Sequence, residues 1–199
     1  MPGAGKTKIL LAESMKKLML SMPLERISVS DIVEVAQIGR NTFYYHFQDK
    51  YDLVIWIFQT ETATLFADGQ GLDSWASAME RLENYLSANR DFYCNALAYD
   101  GQNSLRESLF ELFKAAIVQQ LTERELQEGS TVDPRELDFA GEFFASALQG
   151  LLVRWAKQGM KTPAISYRKC VHWVLKSDWA RVYFLGEEET RSLSADTSL

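Results

Sequence analysis

The chain has 199 residues, of which 47% are apolar and 24% are charged, a composition typical of globular proteins. Its apolar runs are far shorter than the roughly 18 residues that cross a membrane, and its first residues lack the pattern of a secretory leader. We therefore expect a cytoplasmic protein without a membrane partner. The net charge of −6 excludes a generally basic nucleic-acid binder.

The charge is unevenly distributed along the chain. Residues 1–50 contain 7 Lys and Arg against 5 Asp and Glu, whereas residues 51–199 contain 14 against 22. A mildly basic first quarter is thus joined to an acidic remainder. Contact with phosphate groups is expected in the first quarter only.

Several kinds of chemical site are excluded by the residue pattern. Cys94 and Cys170 lie far apart without the spacing of a zinc site, so we expect free thiols. The segment Gly5-Lys6-Thr7 resembles the end of a phosphate-binding loop but lacks the further glycine and the strand that the motif requires. His46 and His172 have no evident catalytic partners. We expect no enzyme, no metal and no cofactor.

The first elements in the chain form a recognisable arrangement. A helical stripe of Leu11, Met15, Leu18, Met19 and Met22 predicts a helix over about residues 6–22. Ser28, three residues before Asp31, predicts a capped second helix over 29–36. Residues 37–39 indicate a tight turn, and residues 40–47 a third helix with Phe43 and Phe47 facing inward. This order of elements is typical of a helix-turn-helix.

The remainder of the sequence also predicts helices. Asp49 is placed to cap a fourth helix that reaches about residue 66, and two more cover about 74–89 and 91–98. Ser104 and Glu107 predict a capping box for a long helix that ends near residue 129, and Asp133 with Pro134 begins another that ends near 159. A last long helix begins at residues 162–163. We expect an all-α fold.

One stretch resembles a known family. Ile27-Ser28-Val29-Ser30-Asp31-Ile32, Ala36, Thr42-Phe43-Tyr44-Tyr45-His46-Phe47, Asp49-Lys50 and Leu53 together resemble the N-terminal domain of TetR/AcrR transcriptional regulators. The continuation over residues 47–58 is similar to the dihydroxyacetone-kinase regulator subgroup. The sequence departs from the family pattern at Gln37, where glycine is common, and at Gly39, where a serine-type cap is common.

The resemblance implies a domain organisation and a function. Residues 1–50 would form the helix-turn-helix DNA-binding domain, residues 51–186 a helical effector-binding and dimerisation domain, and residues 187–199 a disordered tail. We expect a ligand-responsive homodimeric repressor that is released from a near-palindromic DNA operator by a small molecule. Because the subgroup includes an activator, activation stays open, as does a protein-binding coregulator of the same fold.

The recognition helix carries the residues that we expect at the DNA. Arg40 can bridge guanine O6 and N7, and Asn41 can pair with adenine N6 and N7. Thr42 and Tyr44 can offer hydroxyl groups and apolar surface to base edges. By resemblance, phosphates are held by Tyr45, His46, Lys50 and Ser28, and Ser30 can also reach the groove. We expect Lys6, Lys8 and Arg26 to be solvated, and contact between the N-terminal arm and DNA stays open.

The helical body is expected to hold an effector pocket and a dimer interface. Aromatic and sulfur-containing residues predict the pocket, and they are Trp56, Trp75, Met79, Tyr93, Tyr99 and Phe113. Bulky residues of the last two helices predict the interface, and they are Phe143, Phe144, Leu148, Leu151, Leu152, Trp155, Val171, Val174 and Leu175. Small residues, Gly141 among them, would allow close approach of the partner. An effector beside the fourth helix would tilt that helix and change the separation of the recognition helices.

Overall fold

The computed structural model describes residues 3–66, 72–128 and 133–161. The elements in these ranges are α1 (Gly3–Met19), a 3-10 turn (Leu24–Arg26), α2 (Val29–Ala36), α3 (Arg40–His46), α4 (Lys50–Thr62), a second 3-10 turn (Ala63–Phe66), α5 (Leu72–Ala88), α6 (Arg90–Ala98), α7 (Leu105–Glu128) and α8 (Pro134–Lys157). No strand occurs within them, which confirms the all-α prediction. None of these helices is long and apolar enough to cross a membrane.

The helix starts follow from capping residues that the sequence displays. Ser28 and Asp31 form a reciprocal capping box at α2, and the Asp49 carboxylate accepts from the amides of Tyr51 and Asp52, both at 2.8 Å. Asp133 caps α8 in the same way, with Pro134 in the first turn. These caps confirm the predicted starts because each satisfies amides that have no partner inside the helix.

The predicted capping box of α7 forms only in part. The Ser104 hydroxyl accepts from the amide of Glu107 at 3.3 Å, as expected. The Glu107 carboxylate, however, accepts from the amide of Asn103 at 3.1 Å instead of returning to Ser104. Asn103 has a positive φ of 56°, which turns its amide toward the carboxylate. The helix start is therefore correct, but the second bond of the box is shifted by one residue.

The buried side chains form one continuous apolar core. It extends from Leu11 in α1 to Met160 after α8 and includes residues of the helix-turn-helix and of the helical body. Among the described helices, α7 and α8 share the most extensive contact. Gly141 of α8 permits this approach, since a Cβ there would lie 2.5 Å from Cγ2 of Val118 on α7. Gly141 thus serves packing within one chain, which corrects its predicted place at the dimer contact.

Some predictions lie outside the described residues. They concern the last helix with Val171, Val174 and Leu175, the tail over 187–199, and the side chain of Trp75. The domain boundary at residue 50 stays a prediction, because the core passes through it without interruption.

Candidate DNA-binding surface

The recognition helix α3 is held by two phenylalanines, Phe43 within it and Phe47 directly after it. Phe43 is fully buried and Phe47 nearly so, and their rings lie 5.9 Å apart. The turn before α3 places Gln37 at φ 54° and ψ 42°, in the left-handed region where glycine is favoured. Gly39 then begins α3 without a side-chain cap. At both positions the departure from the family pattern thus changes the turn, since Gln37 adopts a conformation that favours glycine and Gly39 supplies no side-chain cap. The orientation of α3 depends on the packing of Phe43 and Phe47.

The opposite side of α3 carries polar and aromatic side chains. Arg40, Asn41, Tyr44 and Tyr45 are exposed, Tyr45 to 78%. The Tyr45 ring meets the His46 ring edge-on at 5.0 Å between centroids. Thr42 and His46 are half-buried at the margin of this face. The helix thus presents hydrogen-bonding groups outward along its whole length, as a helix in the major groove requires.

The start of α2 lies beside the start of α3. The Arg40 guanidinium donates to the Ser30 hydroxyl, which brings a residue of α2 onto the surface of α3. Ser28 is exposed but engaged in its own cap, because its amide and hydroxyl both donate to the Asp31 carboxylate at 2.7 Å. These hydrogen bonds lower the pKa of Asp31. Ser30 and Arg40 therefore form a pair, whereas Ser28 would have to loosen a cap to bind phosphate through its hydroxyl.

Lys50 occupies a place that the sequence did not predict. Its ammonium group donates to the carbonyls of Leu24, Glu25 and Ile27 at 2.8, 2.8 and 2.7 Å. Partial burial lowers the pKa of Lys50, and neighbouring carboxylates oppose this effect. An ammonium group has three donors, so all three are engaged here. A phosphate contact by Lys50 would require the loss of one of these bonds. In this conformation the ammonium group is therefore not available for the predicted phosphate contact.

The predicted pocket residues do not converge on one site. Met79, Tyr93 and Phe113 are buried in the core of the helical body. Trp56 instead packs edge-on against Phe47 of the recognition unit, and Tyr99 stacks on Tyr51 at 4.3 Å between centroids. The ammonium of Lys8 lies over Phe47 and Trp56, at 5.3 and 5.5 Å from their centroids. Trp56 thus connects the body with the DNA-binding half, whereas the Tyr99–Tyr51 stack lies within the body. Lys8 contacts two rings and is not simply solvated.

A polar chain crosses the helical body beside the buried Tyr93. Glu61 of α4 accepts from Lys16 of α1 and from the Tyr85 hydroxyl of α5. Burial and the bond to Glu61 raise the pKa of Tyr85 to about 12. The Tyr93 hydroxyl is fully buried and has no hydrogen-bond partner in the described part of the chain. Burial raises its pKa, as do Tyr85 and Glu61 nearby.

An open cleft of about 790 Å³ lies elsewhere, between α1, the junction of α5 and α6, and residues 160–161 after α8. Its lining includes Lys16, Lys17, Arg90, Phe92 and Lys161. Of the predicted pocket residues whose side chains the structure describes, none lines it.

The outward face of α8 differs from the predicted interface. Phe144, Leu148, Leu152 and Trp155 are buried in the core of the same chain, so they cannot form the bulk of a surface. The exposed apolar residues are Phe139, Phe143, Ala147 and Leu151, spaced four apart along one side of the helix. Of the bulky α8 residues expected at the interface, Phe143 and Leu151 lie on this outer stripe, together with Ala147. The periodicity identified an apolar helix but not which of its two apolar sides faces its own core.

Asn95 is a functional candidate that the sequence did not reveal. Its side chain, on α6, hydrogen-bonds to the backbone of residues 19–24, more than 70 positions earlier. A lone asparagine in a helix gives no sequence signal of such a distant partner.

Comparison with known proteins agrees with this architecture. Residues 16–56 match a family described as bacterial regulatory proteins of the tetR family, and residues 73–169 match a transcriptional regulator C-terminal region. The helix-turn-helix surface lies inside the first match, and α5 to α8 lie almost wholly inside the second.

Individual relatives point the same way. The HTH-type dhaKLM operon transcriptional activator DhaS of Lactococcus lactis subsp. lactis is 37% identical over 94 residues, which is 47% of this chain and about half (50%) of that protein. The solved structure of a dihydroxyacetone kinase operon activator DhaS matches with a TM-score of 0.60 and 25% identity, over 88% of this chain and 96% of that one.

A more distant structure shares the fold. The fatty acid degradation regulator FadR of Bacillus halodurans matches with a TM-score of 0.60 at 15% identity, over 85% of this chain and 94% of that one.

The two family matches, the position of the helix-turn-helix and the similarity to DhaS converge, and the chain belongs to the TetR family of transcriptional regulators.

Proposed function

We propose that this regulator binds a specific, near-palindromic DNA operator as a homodimer and that a small molecule bound in its helical body changes this binding. The observation that carries the proposal is the outward face of α3. Its Arg40, Asn41, Tyr44 and Tyr45 point away from a core that holds Phe43 and Phe47. Exposed hydrogen-bonding and aromatic groups on a two-turn helix are suited to contacts with base edges and phosphates.

Base reading is proposed for Arg40 and Asn41. Arg40 already lies against Ser30, so its guanidinium is held at the surface where α2 and α3 meet. A bidentate arginine–guanine pair contributes about 1–3 kcal/mol of discrimination. Tyr45 and His46, at the far end of α3, are proposed to hold the phosphate backbone, which positions the helix without reading sequence.

A band-shift experiment tests this assignment. DNA fragments from the promoter region next to the regulator's own gene are titrated with the wild-type chain at several salt concentrations. Arg40→Ala should weaken binding to the specific fragment by about 1–3 kcal/mol and relax one base position. Arg135→Ala in α8 is the matched control, since Arg135 is an exposed arginine outside the recognition unit, and it should leave binding unchanged.

Failure of the wild type is equally informative. If the wild-type chain binds no fragment from the neighbouring promoter specifically, even at low salt, the proposal that it recognises DNA is wrong. The alternative, a protein-binding coregulator of the same fold, is then favoured.

The dimer is proposed to form through the outer stripe of α8. Phe139, Phe143, Ala147 and Leu151 place two large aromatic residues and a leucine on one exposed side, and the open position of Gly150 beside them has room for a partner. A symmetric contact of this kind would bring two recognition helices to successive major-groove faces, nominally about 34–36 Å apart.

The effector is proposed to bind near Tyr93. A buried hydroxyl without a partner costs about 1–3 kcal/mol, and a ligand that accepts its hydrogen bond would recover this. Tyr93 also lies beside the chain that joins Glu61 of α4 to Tyr85 of α5, so a ligand here would contact the helix that carries the recognition unit. Native mass spectrometry of the purified chain and its Tyr93→Phe variant tests the site, because a copurified small molecule should be depleted in the variant.

The direction of regulation has two candidates. Repression relieved by the effector is the first, and activation is the second because the similar protein DhaS is named an activator. A reporter joined to the neighbouring promoter distinguishes them: loss of the regulator should raise expression in the first case and lower it in the second.

A further inference from the structure

The segment between α1 and α2 forms turn hydrogen bonds of its own, such as Met22 to Leu18 and Ile27 to Leu24, and a side chain from α6 binds further backbone groups of this segment. The Asn95 amide donates to the carbonyls of Met19 and Met22 at 2.9 and 2.8 Å, and its oxygen accepts from the amide of Leu24 at 2.8 Å. Met19 ends α1, where carbonyls lack partners inside the helix. One side chain of the helical body thus binds three backbone groups of the DNA-binding half.

The same segment is held from α4 by Lys50. The ammonium of Lys50 binds the carbonyls of Leu24, Glu25 and Ile27. Leu24 is therefore held at both ends of its backbone, by Asn95 at the amide and by Lys50 at the carbonyl. Its side chain is almost fully buried, so both the backbone and the side chain of Leu24 are held by their surroundings.

The position of Leu24 determines where the helix-turn-helix begins. The 3-10 turn that starts at Leu24 is followed directly by Ile27, which is buried, and by Ser28, which caps α2. The Arg40–Ser30 bond and the packing of α2 on α3 then connect this start to the recognition helix. Hydrogen bonds are lost when the donor and acceptor move well beyond about 3.2 Å. A displacement of α6 must therefore either break the Asn95 bonds or move Leu24 and the start of α2 with it.

From this geometry we propose that Asn95 is a positioning residue for operator binding, which couples the orientation of the recognition helix to the position of α6. The inference rests on the proposed DNA-binding function and adds the group through which the body acts. Asparagine is suited to this place because it supplies two donors and one acceptor in a short side chain. Aspartate lacks the donors and leucine lacks both kinds of group.

The test compares Asn95→Asp and Asn95→Leu with Arg81→Gln. Arg81 is the control because it also binds a backbone carbonyl, that of Leu65, but within the body. Two readouts are measured on the full chain: hydrogen exchange of the Leu24 amide, and affinity for the operator against the same operator with one base pair inserted at its centre.

We expect the Asn95 variants to increase exchange at the Leu24 amide and to lose operator affinity by about tenfold or more. They should also lose most of the wild type's preference for the correct spacing, because the two recognition helices are no longer fixed at one separation. The control should retain both. A variant that is merely less stable would bind both DNA sequences less well in equal proportion, which would overturn the inference.

Two further outcomes separate this inference from the proposed function. If the wild type binds the operator and the Asn95 variants match it in affinity, spacing preference and Leu24 exchange, Asn95 has no positioning role. If the wild type binds no operator, the proposed function fails and this inference fails with it.

Discussion

Replacement of Lys50 by methionine distinguishes a structural ammonium group from a phosphate ligand. The side chain of methionine keeps much of the aliphatic volume but removes three donors whose acceptors lie at 2.7 to 2.8 Å. A hydrogen bond to a charged group contributes about 1.5–3 kcal/mol. Because Lys50 is partly exposed and the released carbonyls can regain water, we expect a total loss of about 2–4 kcal/mol in the free energy of unfolding.

Two measurements are needed on the same variant. Urea denaturation followed by tryptophan fluorescence gives the free energy of unfolding, and operator binding at several salt concentrations gives the slope of log K against log salt. Each phosphate contact contributes about 0.9 to this slope. We expect an unchanged slope together with weaker binding, since the ammonium is already occupied by carbonyls. Lys17→Met, at an exposed lysine of α1, is the control and should alter stability by less than about 0.5 kcal/mol.

The opposite pattern would refute this reasoning. If Lys50→Met leaves the free energy of unfolding unchanged and lowers the slope by about 0.9 for each protomer, Lys50 binds phosphate and its three carbonyl bonds are given up on DNA.

Three other changes test separate features of the molecule. Phe143→Asp on the outer stripe of α8 should shift the chain from dimer to monomer in sedimentation velocity, whereas Leu126→Asp, an equally drastic change at a residue of α7 that is 75% exposed, should not; dissociation by both or by neither would contradict the proposed interface. Gly141→Ala should destabilise the chain in thermal unfolding, because the Cβ of the new alanine meets Val118. The steric cost of about 1–3 kcal/mol is reduced by a gain of about 1 kcal/mol in helix propensity, and the loss should disappear in a Val118→Ala background. The pKa of Tyr85 is raised from 10.0 to about 12, so the folded state binds this proton more tightly than the unfolded state does, and the free energy of unfolding should fall as pH rises through that range. Tyr85→Phe should reduce this fall, and an unchanged pH dependence would contradict the raised pKa of Tyr85, which burial and the bond to Glu61 together produce.

The sequence predicts the parts of the fold that depend on near neighbours. Ser28, Asp49 and Asp133 each bind amides within three residues, so the start of a helix can be inferred from the cap that precedes it. The inward position of Phe43 and Phe47 follows from helical spacing in the same way.

Features that depend on distant contacts could not be predicted. Lys50 and Asn95 bind carbonyls and an amide that become available only once α4 and α6 pack beside the segment between α1 and α2. On α8, Leu151 and Leu152 look alike in the sequence, but one is exposed and the other is buried against the rest of the chain. Periodicity indicates that a helix has apolar sides, and only the packed partners decide which side each one covers.

The continuous core has a consequence for exchanging parts between regulators. A hybrid that joins residues 1–50 to the body of another family member would keep every residue of the recognition surface. It would nevertheless lose Asn95, the Trp56 ring that packs on Phe47, and the contacts of α6 with α1. A hybrid that preserves operator specificity must therefore include the matching face of α6 as well as residues 1–50. The smallest transferable DNA-binding unit of this protein is thus made of segments that are not contiguous in the sequence.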